Sequence, residues 1–533
     1  MAESALTSDD ASSGSSGKGG GWGLPLVVLI AGMFMSILDT SIVNVAVPKI
    51  QNVFGSTTDE VQWIATAYTL ALGVVVPLSA WLSDRFGASR IYNISLIGFA
   101  AGSALCGLAW NLESLVAFRI VQAIPGGILP VVTLSMLYRI VPKDKLGTAM
   151  GLYGLGIIFA PAVGPTLGGY LVEYVDWRLI FFINVPVGVV GALAAAVVLP
   201  KFGVVRKAPF DALGFATIAV GLFSLLLALT EGQDWGWTSA GTVTLLAVGV
   251  LSLALFVVIE LEVDEPLLDV RVFRYWPFTN SLLLISVLSV GLFAVLFYVP
   301  LFLQQAQGLG AFEAGVLLLP QALIMAVVMP VAGRLYDRIG PRWPAVTGLT
   351  IVTIGTWLLR DLTVTSSHLE ISLLLMLRAA GMGLAMMPVM TSGIAAVPPA
   401  KVNAASAFNN VVQRTAASLG LAILTAVLTT TSAQLAADRG GLTTDPRTLP
   451  VLGVGPQGQI VGMMSTYQQV QTQVFVAALD NLMIITTVIS VVAVALALML
   501  RSGPLPAAAP PAAAAPVEEP AEATQSTPEP ARS

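Results

Sequence analysis

Apolar residues dominate this chain in long runs separated by short charged or turn-rich breaks. The runs cover 25–47, 61–82, 91–110, 114–137, 147–172, 179–199, 211–229, 240–260, 278–303, 312–333, 344–360, 370–396, 406–431 and 481–500. Most are long enough to cross a bilayer core as a helix, which takes roughly 17–25 residues. The pattern predicts an all-α polytopic protein with fourteen membrane-spanning helices. Residues 1–24 are Ser/Gly/Asp-rich and 503–533 are Pro/Ala/Glu-rich; both predict disordered tails. No cleavable signal peptide is expected, because the first apolar run is too long for one. One break differs from the rest. Residues 432–480 are long and polar, with Gly440-Gly441, Pro446, Pro450 and Pro456. They read as an outer loop, either a tolerated insertion or a functional cap, with an amphipathic helix over 460–479.

Composition agrees with the runs. The chain has 533 residues, 56% hydrophobic and 10% charged, against roughly 25% charged in soluble proteins. Net charge is −5 and no basic run of the nucleic-acid type occurs. A single cysteine, Cys106, and a single histidine, His368, give no basis for a disulfide or a metal centre. No Gly-rich phosphate loop with Lys-Ser/Thr is present, so an ATP-driven pump is excluded. An even number of spans puts both tails on one side. Most basic residues between spans then fall with the tails, among them Arg85, Arg90, Arg139, Lys143, Arg338 and Arg342. Positive charge marks the cytoplasmic side, so both termini are expected inside a cell (inner or plasma) membrane.

A repeat fixes the architecture. Glu60, Pro77, Asp84, Arg85 and Gly87 recur as Glu313, Pro330, Asp337, Arg338 and Gly340, at a constant offset of 253 residues. Leu115–Arg119 corresponds likewise to Leu374–Arg378. Two six-helix bundles follow, 25–199 and 278–501, with a linker and two inserted helices in 200–277; the whole is flanked by tails 1–24 and 502–533. Parallel repeats of this kind hold a substrate cavity between them near the bilayer midplane.

Charges inside spans are expensive and default to function. Asp39 lies about eight residues below the outer end of the first span, about 12 Å at 1.5 Å per residue. Arg119 lies about 8 Å deep in the fourth span by the same rise. The two reach similar depth in one bundle, either as a static pair or as a proton site whose affinity changes when the pair separates. Gln122 and Gly126 share the face of Arg119. Ser36, Thr40 and Asn44, spaced by four, form a polar stripe suited to lining a cavity or to bonding between helices. Gly156, Ala160, Gly164 and Gly168 repeat every four residues beside Pro161, Pro165 and Gly169, a groove for close packing of another helix. Arg378 and Arg414 have no acid in the second bundle; anionic substrate groups or backbone carbonyls are their candidate partners. Met35, Tyr68, Phe159 and Tyr298 complete the candidate cavity, each aromatic being equally suited to core packing or to lipid. Asp84, Arg85 and Arg90, matched by Asp337, Arg338 and Arg342, predict latches closing the inner side.

Several segments carry a resemblance to a family. Leu38-Asp-Thr-Ser-Ile-Val-Asn44-Val-Ala-Val-Pro48, Asp84-Arg-Phe-Gly-Ala-Ser-Arg90, Gly164-Pro-Thr-Leu-Gly-Gly169, Trp177-Arg-Leu-Ile-Phe-Phe-Ile-Asn184-Val-Pro186-Val-Gly188 and Leu267–Arg274 are the segments. Together they resemble the major facilitator superfamily, and within it the fourteen-helix drug:proton antiporters of the EmrB/QacA type. Ala80 stands where the second-helix motif usually has glycine. The resemblance implies alternating access, and exchange favoured by a sealed, bending fifth helix. Its expected partners are protons, the lipid bilayer and small amphipathic substrates, cationic or zwitterionic ones included; an outer adaptor protein with an outer-membrane channel is a further candidate. It implies no cofactor beyond the proton gradient. The expected function is proton-coupled multidrug efflux. The alternatives are export of one native metabolite, lipid or siderophore, and a non-transporting receptor.

Overall fold

Polar caps and glycine turns set the helix ends, and they repeat. Thr57 and Glu60 bond reciprocally at the start of one helix, and Glu313 accepts from the Gly310 amide at the start of its counterpart. Both helices end in a glycine at positive φ, 87° at Gly87 and 83° at Gly340, where a side chain would be strained. Each turn is tight, and the next helix begins within two residues.

A computed structural model describes residues 21–202, 209–444 and 456–503. In chain order the helices are α1 Gly23–Phe54, α2 Thr58–Phe86, α3 Ala88–Gly107, α4 Leu112–Ile140, α5 Leu146–Tyr174, α6 Leu179–Phe182, α7 Asn184–Val198, α8 Ala212–Trp235, α9 Ala240–Glu262, α10 Trp276–Gln305, α11 Ala311–Ile339, α12 Arg342–Leu358, α13 His368–Ala395, α14 Val402–Thr444 and α15 Pro456–Leu498. With α6 and α7 counted as one interrupted rod, the described residues form fourteen rods. Twelve of these are long and apolar enough to cross a membrane; α3 and α12 are not among the twelve but pack within the same bundles.

The rods form two halves, α1–α7 and α10–α15. The α8–α9 pair leans on α2 and α14 from the side, with α9 packed mainly on α8. The halves meet along α5 with α11 and along α2 with α14, which are equivalent pairs under the repeat. One end of the molecule carries Arg85, Arg139, Lys143, Lys145, Arg338, Arg342 and Lys401, and is called the basic end below. There α14 is buried almost without interruption from Val402 to Asn410. Toward the opposite end the burial fades. There α14 is only half-buried over 411–416. The halves are therefore closed at the basic end and looser at the other.

One expectation changes. The stretch 432–480 is not a long loop: α14 continues to Thr444, and α15 begins at Pro456. Polar residues extend these helices past the end of the apolar run, where hydropathy no longer marks them. Only 445–455 of that stretch lie outside the described residues. The expected tails fall outside them too, apart from a few residues at their inner margins.

Candidate functional site

Asp39 stands midway along α1 and is completely buried, as is Arg119 on α4. The Asp39 carboxylate takes three donors. Its Oδ2 accepts from Arg119 Nη1 in a short ion pair. Its Oδ1 accepts from Gln122 Nε2 at 3.0 Å and from Asn184 Nδ2 at 2.9 Å. Arg119 is held in turn. Its Nη1 also donates to Gln122 Oε1 at 2.8 Å, and its guanidinium carbon sits 3.6 Å over the Tyr68 ring. Asn184 also donates to Ser103 Oγ at 3.0 Å, and Ser103 donates to the Phe181 carbonyl at 2.8 Å. Five rods, α1 to α4 and α6–α7, thus converge on one carboxylate. The break between α6 and α7 falls at Ile183, so Asn184 opens α7.

The chemistry follows from charge. Three of the carboxylate's roughly four acceptor sites are taken, one of them by the Arg119 guanidinium in a charge-assisted bond. Protonation would leave Arg119 uncompensated in a dry site, and a buried charge deprived of its partner costs about 3–5 kcal/mol. Proton loading at Asp39 would therefore be coupled to rearrangement of Arg119.

Asp39, Arg119, Gln122 and Tyr68 are legible in the sequence, the last two as cavity lining rather than as parts of this cluster. Asn184 stands out only within the segment Trp177–Gly188, and the sequence does not single out Ser103. The available signal was an amide in an otherwise apolar span.

The remaining candidates scatter. Met35 lies in the core of the first half with Leu29, Tyr68 and Val132, and Tyr298 lies in that of the second, its hydroxyl 2.7 Å from Thr425 Oγ1; neither lies between the halves. Thr40 donates to the Ser36 carbonyl one turn back, and Ser36 to the Gly126 carbonyl at 2.9 Å. Asn44 lines a cavity of about 330 Å³ at the opposite end, with Gln62, Thr66, Thr230, Glu231 and Asp234. Phe159 is 38% exposed. Arg378 is buried within the second half, donating to the Gly291 carbonyl and, at 3.0 Å, to Thr356 Oγ1. Of its two candidate partners, backbone carbonyl and substrate anion, the carbonyl is the one it meets.

At the basic end the repeated acids reach across the halves. Asp337 of α11 accepts from the amides of Gly147 and Thr148 at 2.7 and 2.9 Å and from Thr148 Oγ1 at 2.8 Å, so it caps the first turn of α5. Asp84 of α2 accepts from Asn403 Nδ2 in the first turn of α14, with Arg139 3.9 Å away. Asn403 also accepts from Ser135 of α4. Arg85 lies 5.7 Å from the centre of the Trp81 ring. Arg342 donates to the Leu500 carbonyl at 2.7 Å. Arg338 borders a second cavity, of about 260 Å³, with Asp337 and Asp144. Arg90 is exposed.

The small residues of α5 serve two neighbours. A Cβ on Gly156, Gly164 or Gly168 would meet α1 at Ile30, Ser41 or Ile42, within 2.8 Å in each case. A Cβ on Gly147 or Gly151 would meet α11 at the carbonyl of Gly333 or Met329, within 2.6 Å. Gly169 faces open space. Ala160 is buried and its carbonyl lies 3.5 Å from Ser41 Oγ. Pro161 and Pro165 lie inside α5, which runs on as one helix. Helix α5 is thus wedged between the rod that carries Asp39 and the opposing half.

Residues 29–421 match the Major Facilitator Superfamily. The chain belongs to that superfamily. It is 34% identical over 453 residues to "Uncharacterized MFS-type transporter YhcA" of Bacillus subtilis (84% of this chain, 85% of the relative). It is 31% identical over 494 residues to "Tetracenomycin C resistance and export protein" of Streptomyces glaucescens (89% and 91%). To "Multidrug transporter protein MdtP" of Bacillus subtilis it is 30% identical over 443 residues (83% and 81%). The fold is that of the solved proton:xylose symporter XylE, at 12% identity and a TM-score of 0.57, over 89% of this chain and 94% of that one. These superfamily members are multi-pass membrane transporters rather than enzymes.

Proposed function

We propose that this chain exports amphipathic, lipophilic compounds across the cell membrane in exchange for protons, by alternating access. The basic end faces the cytoplasm in this reading, as the distribution of Lys and Arg supports, and the closed basic end is then an outward-facing state. The proton gradient supplies the energy, with no cofactor. The observation that carries the reading is the buried Asp39–Arg119 pair, whose carboxylate accepts from three donors. A carboxylate so enclosed exchanges a proton only when the helices around it shift, which ties proton binding to conformation.

Helix α5 supplies the mechanical link. It contacts α1 two and three residues beyond Asp39, at Ser41 and Ile42, and it contacts α11 through Gly147 and Gly151. Tilting of the second half pulls on α5, and α5 pulls on the rod bearing the carboxylate. The Asp84 and Asp337 contacts hold the inner side shut until that tilt, each at a helix N-terminus that favours negative charge.

Everted vesicles test the reading. A transported compound should discharge a preformed pH gradient, and Asp39→Asn should abolish the discharge. Normal exchange by Asp39→Asn overturns proton coupling through this site. The tetracenomycin exporter favours a second reading, in which one native compound is the substrate; a transport screen that finds a single substrate among many would select it.

A further inference from the structure

One charge in the membrane core has no counterpart. Arg414 lies on α14, eleven residues beyond Asn403 and so about three turns, roughly 16 Å, along the same face. Asn403 bonds to Asp84 and Ser135, which shows that this face is turned to the first half. Tyr68 of α2 and Tyr153 of α5 lie within electrostatic range of Arg414. Among the described residues Arg414 makes no ion pair and no hydrogen bond. The contrast with the other two intramembrane arginines is sharp: Arg119 has Asp39, and Arg378 has a carbonyl and a hydroxyl.

The surroundings add orphaned polar atoms. The Tyr68 hydroxyl, Asn409 Nδ2, Ser406 Oγ and Thr415 Oγ1 are buried without a hydrogen-bond partner. The apolar wall between the halves is rich in methionine, with Met33 and Met150 from one side and Met325, Met329, Met386 and Met387 from the other. Thioether side chains adapt to flat and irregular apolar shapes. Arg414 is only half-buried, so part of it faces space rather than protein.

We propose that Arg414 recognises an acidic group, a carboxylate, enolate or phenolate, on an aromatic lipophilic substrate held between the halves. The Tyr68 and Tyr153 hydroxyls donate to the same anion, and the methionines take the ring system. The inference rests on the exporter reading and narrows it: the uncompensated charge between the halves is positive, so an acidic substrate neutralises it and a cationic one is repelled. Asp39 offers a cation no alternative, because its carboxylate is buried and occupied by Arg119.

The test uses the purified full-length protein and three probes of one shape: 2-naphthylacetate, 2-naphthylacetamide and 2-(2-naphthyl)ethylamine, titrated calorimetrically. The wild type should bind the carboxylate about tenfold or more tightly than the amide, the scale of a lost charged hydrogen bond, and the amine most weakly. Arg414→Gln should bring the carboxylate to the level of the amide, and Arg414→Lys should keep part of the preference. Removing an orphan charge should also leave the ligand-free melting temperature of Arg414→Gln unchanged or raised. Tightest binding of the amine, equal binding of all three, no binding of any, or an unchanged preference in Arg414→Gln overturns the proposal. So does a fall in the melting temperature of Arg414→Gln, which would mark a structural arginine. The exporter reading is judged separately. Discharge driven by the amine and abolished in Asp39→Asn would keep exchange and reject acid recognition; tight, Arg414-dependent binding of the carboxylate without any proton movement would do the reverse.

Discussion

Asn184 Nδ2 sits 2.9 Å from Asp39 Oδ1, joining the first residue of α7 to the middle of α1. The amide also holds Ser103, so it fixes α3, α7 and the carboxylate in one arrangement. Asn184→Ala removes one donor from Asp39 and leaves a buried acceptor short of a partner, a loss of about 1–3 kcal/mol. Proton-coupled exchange in vesicles should fall by about tenfold or more. Asn184→Gln, with the same chemistry and a longer reach, should recover less than half of the wild-type rate.

The Asp39–Arg119 pair predicts an asymmetry between single and double variants. Asp39→Asn or Arg119→Leu alone strands a dry charge or its donors and should destabilise by about 3–5 kcal/mol. Asp39→Asn combined with Arg119→Leu leaves no charge to strand. The double variant should regain most of the lost melting temperature in detergent and none of the proton exchange. Equal melting temperatures in single and double variants would mean that the pair is not coupled.

Cross-half contacts at the basic end should set which side is open. Asp337→Ala removes the acceptor of three hydrogen bonds from the start of α5. Charged hydrogen bonds contribute about 1.5–3 kcal/mol each, so the closed basic end should lose at least tenfold in relative population. A cysteine placed at Met329 in a Cys106→Ser background, labelled with a water-soluble maleimide, should react faster in the Asp337→Ala protein. Asn403→Ala should act in the same direction through Asp84.

Glycine substitutions on α5 should divide by neighbour. Gly151→Ala brings a Cβ within 2.6 Å of the Met329 carbonyl and should force α5 from α11, speeding the same labelling. Gly168→Ala meets Ile42 and should impair exchange through α1 instead. Gly169→Ala meets nothing within 4 Å and should be silent in both assays.

The rods and the repeat were legible because apolar length and a constant offset survive any detail of packing; Glu60/Glu313 and Gly87/Gly340 even fix matching caps and turns. The Asp39–Arg119 encounter was legible from depth alone. Asn184 and Ser103 were not, since a lone amide or hydroxyl in an apolar run does not reveal which neighbour it turns to. The far end of α14 was not legible, and 460–479, expected as an amphipathic helix of the outer loop, is instead continuous with the last span in α15: hydropathy reports solvent, and a helix that leaves the apolar layer keeps its backbone bonds. Met35 and Tyr298 were assigned to a cavity by residue type, but burial within one half decided their place. Glycine spacing predicted a groove on α5 without saying which helix fills it, while the contacts of Gly147 and Gly151 with Gly333 and Met329 needed the second helix to be seen.

The two clasps at the basic end are built from different material. The bond that reaches Asp84 from Asn403 comes from a side-chain amide, which a substitution at 403 removes. The one at Asp337 is fastened largely to main-chain N–H groups of Gly147 and Thr148, which only proline can delete. Genetic drift on the helices that receive them can therefore remove the Asn403 bond easily and the Asp337 bonds scarcely at all, so inherited variation in opening and closing should fall at position 403 rather than at 147 or 148.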